Sequence, residues 1–380
     1  MNKVRLGDVC QVVSGSTPKS SISEYWDGPF NWVTPAELSD STLFVLDTER
    51  KITQKGIDSC ALMLMPVGTV LLSSRAPIGK VAITGVEMYC NQGFKNLICS
   101  DKINNHYLYW FLKAKKQYLN SLGRGATFKE ISKSIVENIE IPYPSIEQQI
   151  QIASILFKIN DTITLSGLLI TKMDELIKSR FVEMFGDFDL ALQKPDWVSI
   201  SKIGTVVGGS TPKTSVEEYW NGEYRWISPA ELKDDSGIIY DSVKKITKVG
   251  IDSCSLQELP VGTVILSSRA PIGKVAIAGK TFYCNQGFKN IICSDSVIPR
   301  YLYTLLLFNT DYLNSLGRGA TFKEISKSIV ENIRIPLPSI DEQKQFEEFV
   351  QEVEKQKATV QQSIDKLETL KKSLMQEYFG

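Results

Sequence analysis

Apolar positions follow two rhythms along this chain. Short runs such as "VGTVLLSS" from Val67 and "VAIT" from Val81 are edged by glycine and other turn residues, a pattern that predicts strands. Beyond Ser145 the spacing changes to alternating steps of three and four: Leu156, Ile159, Ile163, then Ile170, Met173, Ile177 and Met184. That is the heptad seam of a long helix. The same seam returns as Val350, Val353, Val360, Ile364, Leu367, Leu374 and Tyr378. Ser166, Arg180, Lys357 and Lys371 also fall on it. Polar seam residues lower stability but fix register, so the expected partner of each helix is the other. Two separate core helices remain the alternative. At ~1.5 Å per residue, about 38 residues make a rod of roughly 55 Å. Helix starts are expected at "TPAE" (Thr34), "SPAE" (Ser228), "TFKE" (Thr127 and Thr321), "SIEQ" (Ser145) and "SIDE" (Ser339), each a hydroxyl followed by an acid or amide three residues on or close to it.

The rhythm repeats because the sequence does. "YLNSLGRGATFKEISKSIVENI" runs from Tyr118 to Ile139 and again, unchanged, from Tyr312 to Ile333, an offset of 194 residues. The same offset relates "GSTPK" at Gly15 and Gly209, "SSRAPIGKVAI" at Ser73 and Ser267, and "YCNQGFKN" at Tyr89 and Tyr283. Two copies are too few for a solenoid and suit a pseudo-twofold object, like a symmetric dimer fused into one chain. The expected fold class is therefore α/β (mixed α+β), in two tandem copies. Residues 1–146 and 199–340 form the domains, 147–186 and 341–380 the long helices, and 187–198 a linker. Gly186 is the expected helix cap and Pro195 a breaker.

Composition narrows the function classes. The chain has 380 residues, too many for one ordinary core. No uninterrupted apolar run approaches the ~18 residues of a membrane span, and the N-terminus has no secretory h-region, so no membrane role is expected. Seven cysteines, with Cys10 unmatched by Gly204, point to reduced thiols and a cytoplasmic setting. No CxxC occurs, and His106 is the single histidine, replaced by Arg300 in the second copy, so no metal site is expected. Formal net charge is zero, but residues 147–187 carry −2 and 341–380 carry −3, leaving +5 on the rest. The α/β domains are thus mildly basic, which permits nucleic-acid binding without requiring it.

The repeated stretches supply the candidate contacts. In "GRGATFKE", Arg124, Thr127 and Lys129 (Arg318, Thr321 and Lys323 in the second copy) would hold phosphate at a helix N-terminus; a plain turn and cap is the alternative. In "SSRAPIGKVAI", Arg75 and Lys80 (Arg269 and Lys274) suit guanine or phosphate, or else the arginine makes a structural ion pair in a hairpin. In "YCNQGFKN", Asn91 and Gln92 (Asn285 and Gln286) could read adenine edges, beside Lys95 (Lys289). Asx-turns use the same amides, and that is the preferred reading. In "GSTPK", Lys19 (Lys213) is the exposed candidate, while Trp26 and Trp32 read as core. No P-loop, dinucleotide motif, paired-histidine site or repeated Ser-His-Asp set is present, which sets catalysis aside.

This ordered set, "GSTPK…EYW.G…W", "SSRAPIGKVAI", "CNQGF" and "IPYPSIEQQ" or "IPLPSIDEQ" before a long helix, occurs twice. It resembles the specificity subunit of a type I restriction-modification system across essentially the whole chain. The resemblance implies that each α/β domain is a target recognition domain reading one half of a split double-stranded DNA site. It implies that the two long helices pair as an antiparallel coiled coil and set the spacing, and that the chain is not itself an enzyme. Two methyltransferase subunits would bind S-adenosylmethionine, and restriction subunits ATP with magnesium, leaving no cofactor on this chain. Recognition domains in that family usually diverge; here the differences concentrate in 39–65 against 233–259. Similar, inverted half-sites are therefore expected. The competing reading is a pseudo-dimeric interaction scaffold that binds no DNA. Because the two seams share one register, a fragment of residues 1–187 is expected to self-associate through its helix. Sedimentation at high concentration that finds only monomer would count against the shared seam.

Overall fold

The computed structural model describes the chain except for Met1, Ala61, Ala76, 126–128, 234–236, Ala270 and 320–322. It divides into two compact units, residues 1–168 with 360–380, and residues 169–359. Both divisions fall inside the long helices Ile146–Phe185 and Ile340–Phe379.

In the first unit a five-stranded sheet has the order Cys10–Ser14, Lys95–Cys99, Val70–Leu72, Val81–Thr84 and Phe44–Val45. All its pairings are antiparallel except the last, which is parallel. Trp26–Val33 lies between Lys51–Ile52 and Tyr89–Cys90 in a second, three-stranded sheet. A short ribbon pairs Lys3–Arg5 with Glu140–Pro142. Mixed pairing of this kind matches the expected α/β class. The expected strand runs lie at the centre of the larger sheet, and Val70–Leu72 and Val81–Thr84 are buried throughout, as sheets covered on both faces require. The helix Asn105–Ala114, capped by Asn104, puts Tyr107, Leu108, Trp110 and Phe111 into the core. The second unit repeats this order and register, from Gly204–Gly208 paired with Lys289–Cys293 to Ile238–Ile239 beside Val275–Ala278.

The helix seams are as the spacing predicts. Leu156, Ile159, Val350, Val353 and Ile364 are buried, and every other seam position, the four polar ones included, is half-buried. In the second unit Lys357 pairs with Asp174, and Phe181 meets Phe346 at 5.3 Å, so the segments run antiparallel there. In the first unit Lys371 Nζ donates to Asn160 Oδ1 at 3.3 Å. Two of the four polar seam residues, Lys357 and Lys371, thus find partners on the other helix. Ser145 and Ser339 cap the two helices reciprocally with Gln148 and Glu342. Each unit is closed by aromatic side chains from a helix end. Phe379 lies 5.2 Å from Tyr107 and 5.9 Å from Phe111, and Phe185, its repeat equivalent, lies 5.0 Å from Tyr301.

Several expectations are corrected. "TPAE" makes only a turn and "SPAE" one 3-10 turn, Pro229–Glu231, because Leu38 and Leu232 leave it to enter the core. No helix runs through Lys129 or Glu130; it begins at Lys133, capped by Ser132. The stretch 187–198 is no free tether: Leu190 is fully buried, Leu190 N donates to Asn309 Oδ1, and Arg334 Nη1 donates to Pro195 O. Gly186 does end its helix, at φ +94°. The first long helix, with a mean hydropathy of 1.3 over 18 residues, is long and apolar enough by composition to cross a membrane. Interleaved leucines rather than one unbroken run produce that value, and its seam packs on protein.

Phe379→Ala is expected to cost about 3–5 kcal/mol, since a fully buried ring leaves a cavity. Exposed Leu370→Ala on the same helix should cost under ~0.5 kcal/mol. Chemical denaturation of both variants checks this.

Candidate nucleic-acid interface

Four separate loops of the first unit meet around Ser74. Its N–H donates to Gly93 O at 2.7 Å, and its carbonyl accepts from Ile131 N at 2.9 Å. Asn91 Nδ2 donates to Thr17 Oγ1 at 2.9 Å, and Ser16 N donates to Cys90 O at 2.9 Å. Trp32 Nε1 then reaches Ser16 O at 3.2 Å, locking "GSTPK" onto the smaller sheet. Gly15 is required here, because a Cβ would stand 2.1 Å from Asn91 O. The backbones of Arg124 and Glu130 pair in both directions at 3.0 and 2.9 Å, folding "GRGATFKE" back on itself through Gly125 at φ +125°.

At the centre is the Glu130 carboxylate. Oε2 accepts from Arg75 Nε at 2.9 Å and Oε1 from Lys95 Nζ at 3.0 Å. The second unit repeats this with Glu324, Arg269 and Lys289 at 2.9 and 3.0 Å. Burial pushes both carboxyls up, but the hydrogen bonds and charges of the paired lysine and arginine outweigh it and hold them below the ordinary glutamate value.

This geometry sorts the candidates. Lys95 is buried and Lys289 nearly so, each committed to its glutamate, so the expected contact with DNA is replaced by a structural ion pair. Asn91 Oδ1 accepts from Gly93 N and Asn285 Oδ1 from Gly287 N, both at 2.7 Å. These amides close Asx-turns, the preferred reading of the sequence. Gln92 Oε1 is buried with no partner, while Gln286 is exposed and accepts from Thr211. Lys80 Nζ donates to Pro35 O at 3.0 Å and Lys274 Nζ to Leu232 O at 2.7 Å. Thr127 and Thr321 lie outside the described residues. Lys19, Arg124 and Lys129, with Lys213, Arg318 and Lys323, are exposed on the loops. Arg75 and Arg269 are about half exposed, with only Nε engaged, so their terminal N–H groups face outward. Trp26 and Trp32 are core, as expected.

Two features escaped the sequence reading. Glu130 and Glu324 are the organising residues; the signal was an acid repeated unchanged inside a basic segment. The other is the Arg50 guanidinium, 3.7 Å above the Trp26 ring, where the second unit has Lys244 at 5.6 Å from Trp220. Among the described residues no group of His, Cys, Asp or Glu is arranged to hold a metal ion. The cysteines are unpaired; burial raises the Cys90 thiol and raises Cys284 to about 12, so these thiols stay protonated.

Glu130→Gln is expected to cost about 1–3 kcal/mol at neutral pH, because buried Lys95 loses its carboxylate. A depressed folded-state value means this stabilisation is present above the unfolded glutamate value, about 4.3, and is lost as pH falls through the folded one. Denaturation curves of wild type and variant should therefore converge in acid; a constant gap would contradict the ion pair.

Comparisons with known proteins bear on this arrangement. The family model described as type I restriction modification DNA specificity domain matches residues 1–172 and 195–369. The MjaIX specificity subunit of a type I restriction enzyme from Methanocaldococcus jannaschii is 27% identical over 91% of this chain and 85% of that protein. The EcoR124I/EcoR124II specificity subunit from Escherichia coli is 26% identical over 58% of this chain and 56% of that protein. In fold, a chain solved in work on complex assembly and conformational transition of the type I R-M system has a TM-score of 0.66 at 19% identity, covering 100% of this chain and 97% of that one. The type I S subunit from M. genitalium has a TM-score of 0.61 at 14% identity, covering 100% and 96%. Matched over both copies, the chain belongs to the family of type I restriction-modification DNA specificity proteins.

Proposed function

We propose that this chain is the DNA sequence-recognition subunit of a type I restriction-modification complex, with each unit reading one half of a split site. The observation that carries the reading is the four-loop constellation, built identically in both units of a chain from the DNA specificity family. Arginine and lysine at the loop tips supply phosphate contacts, and the outward groups of Arg75 and Arg269 suit a guanine edge. The glutamate behind each arginine holds it in one orientation. The long helices would set the gap between half-sites and dock two methyltransferase subunits. S-adenosylmethionine belongs on those subunits, and ATP with magnesium on the restriction subunits. The work is that of a specificity subunit, not a catalyst, in the cytoplasm. Because the loops are the same in both units, the half-sites are taken to be related and inverted.

Mapping methylated adenines in cells that express the chain with its neighbouring methylase is expected to return a split motif with inverted, closely related halves. Unlike halves would keep the recognition role and overturn the shared reading. No motif, with the methylase active through another specificity subunit, would favour the scaffold.

A further inference from the structure

The two copies share their loops but not their flanks. In the first unit, a groove of about 490 Å³ lies between residues 113–117 and the C-terminal part of the second long helix. Lys113, Lys115, Lys116, Lys371 and Lys372 line it, with Glu368 as the acid among the lining residues. At the repeat-equivalent positions the second copy has Leu307, Asn309, Thr310, Ile177 and Lys178. Five positive charges thus stand where the other unit has one.

These charges are poorly compensated. Lys116 pairs with Asp40 at 2.6 Å, and Lys113 Nζ is held by Asp40 O and Tyr109 OH. Lys371 is taken by Asn160, a neutral partner. Lys115, Lys372 and Glu368 enter no ion pair among the described residues. Burial, and then the neighbouring Lys371 charge, hold Lys113 below the ordinary lysine value. Gathering like charges is unfavourable without an anion to bind.

The groove also adjoins the recognition loops. Asn120 Nδ2 donates to Ile78 O at 3.0 Å, inside "SSRAPIGK". A Cβ on Gly79 would stand 3.2 Å from Lys116 Cγ. The basic surface therefore runs from the Arg75 loop across Lys116 to Lys115 and Lys372. Lysine, a point charge on a flexible stem, suits phosphate contact without base reading.

We propose that this groove holds the sugar-phosphate backbone of the DNA duplex beside the half-site read by the first unit, a grip the second unit lacks. The proposal rests on the DNA-reading role. It makes the chain asymmetric in affinity while its loops stay alike: the first unit should contribute more of the salt-dependent binding.

The test is salt-dependent DNA binding by the assembled complex carrying Lys115→Gln with Lys372→Gln, whose side chains make no hydrogen bond among the described residues. A thermal melt checks folding. The slope of log affinity against log salt is expected to become shallower by about two, on the specific site and on unrelated duplex alike, because two phosphate contacts are lost. The recognised motif should not change. An unchanged slope, with the wild-type complex still reading its split site, overturns the groove and leaves the function standing. Loss of co-purifying subunits with an unchanged slope shows a protein-docking groove and overturns it too. Absence of salt-dependent DNA binding by the wild-type complex brings down both.

Discussion

Each unit depends on an aromatic side chain delivered by the far end of a long helix. Phe379, from the end of the second copy, fills the core around Tyr107 and Phe111; Phe181 and Phe185, from the end of the first copy, fill the core around Tyr301 and Phe346. The first unit is completed only by residues 360–380, while the second is one continuous stretch, 169–359, that includes the end of the first long helix. The contacts join residues far apart in sequence, so their loop-closure entropy is offset only once the helix segments have packed. This gives the polar seam residues a physical role. Asn160 with Lys371, and Asp174 with Lys357, penalise slipped registers that would pull the terminal phenylalanines out of their cores.

A second constraint lies in the recognition loops. A surface suited to phosphate is short of acids, and yet one glutamate is repeated unchanged at its centre. Burying Lys95 without a partner would be costly, and Glu130 removes that cost while also tethering Arg75. The carboxylate joins the loop after Val70–Leu72, the strand Lys95–Cys99 and the "GRGATFKE" turn into one rigid body. Preorganised arginine loses less freedom on meeting a ligand than a free side chain would.

The comparison between copies separates what is shared from what is specific. The loops around Ser74 and Ser268 agree to within tenths of an ångström in their hydrogen bonds. Differences sit around them: arginine against lysine over the tryptophan of the smaller sheet, and a lysine groove against apolar and neutral residues. The repeat keeps the packed loop core the same in both units and differs in its flanks, where a change of charge does not disturb that packing.

The sequence by itself determined the two-copy organisation, the position and seam of both long helices and the central strands, because periodic burial and an identical repeat are local properties written in order along the chain. It also named the loops that meet around Ser74 and Ser268. Only the tertiary structure decided which cations remain outward: Lys95 and Lys289 went to half-buried glutamates, and Asn91 and Asn285 went to turns. It also decided that no helix runs through Lys129 and Glu130, where the backbone of Glu130 pairs with that of Arg124, and that residues 187–198 are packed within the second unit. In each case the partner is distant in sequence, so the energy that selects the outcome does not exist until the chain has folded.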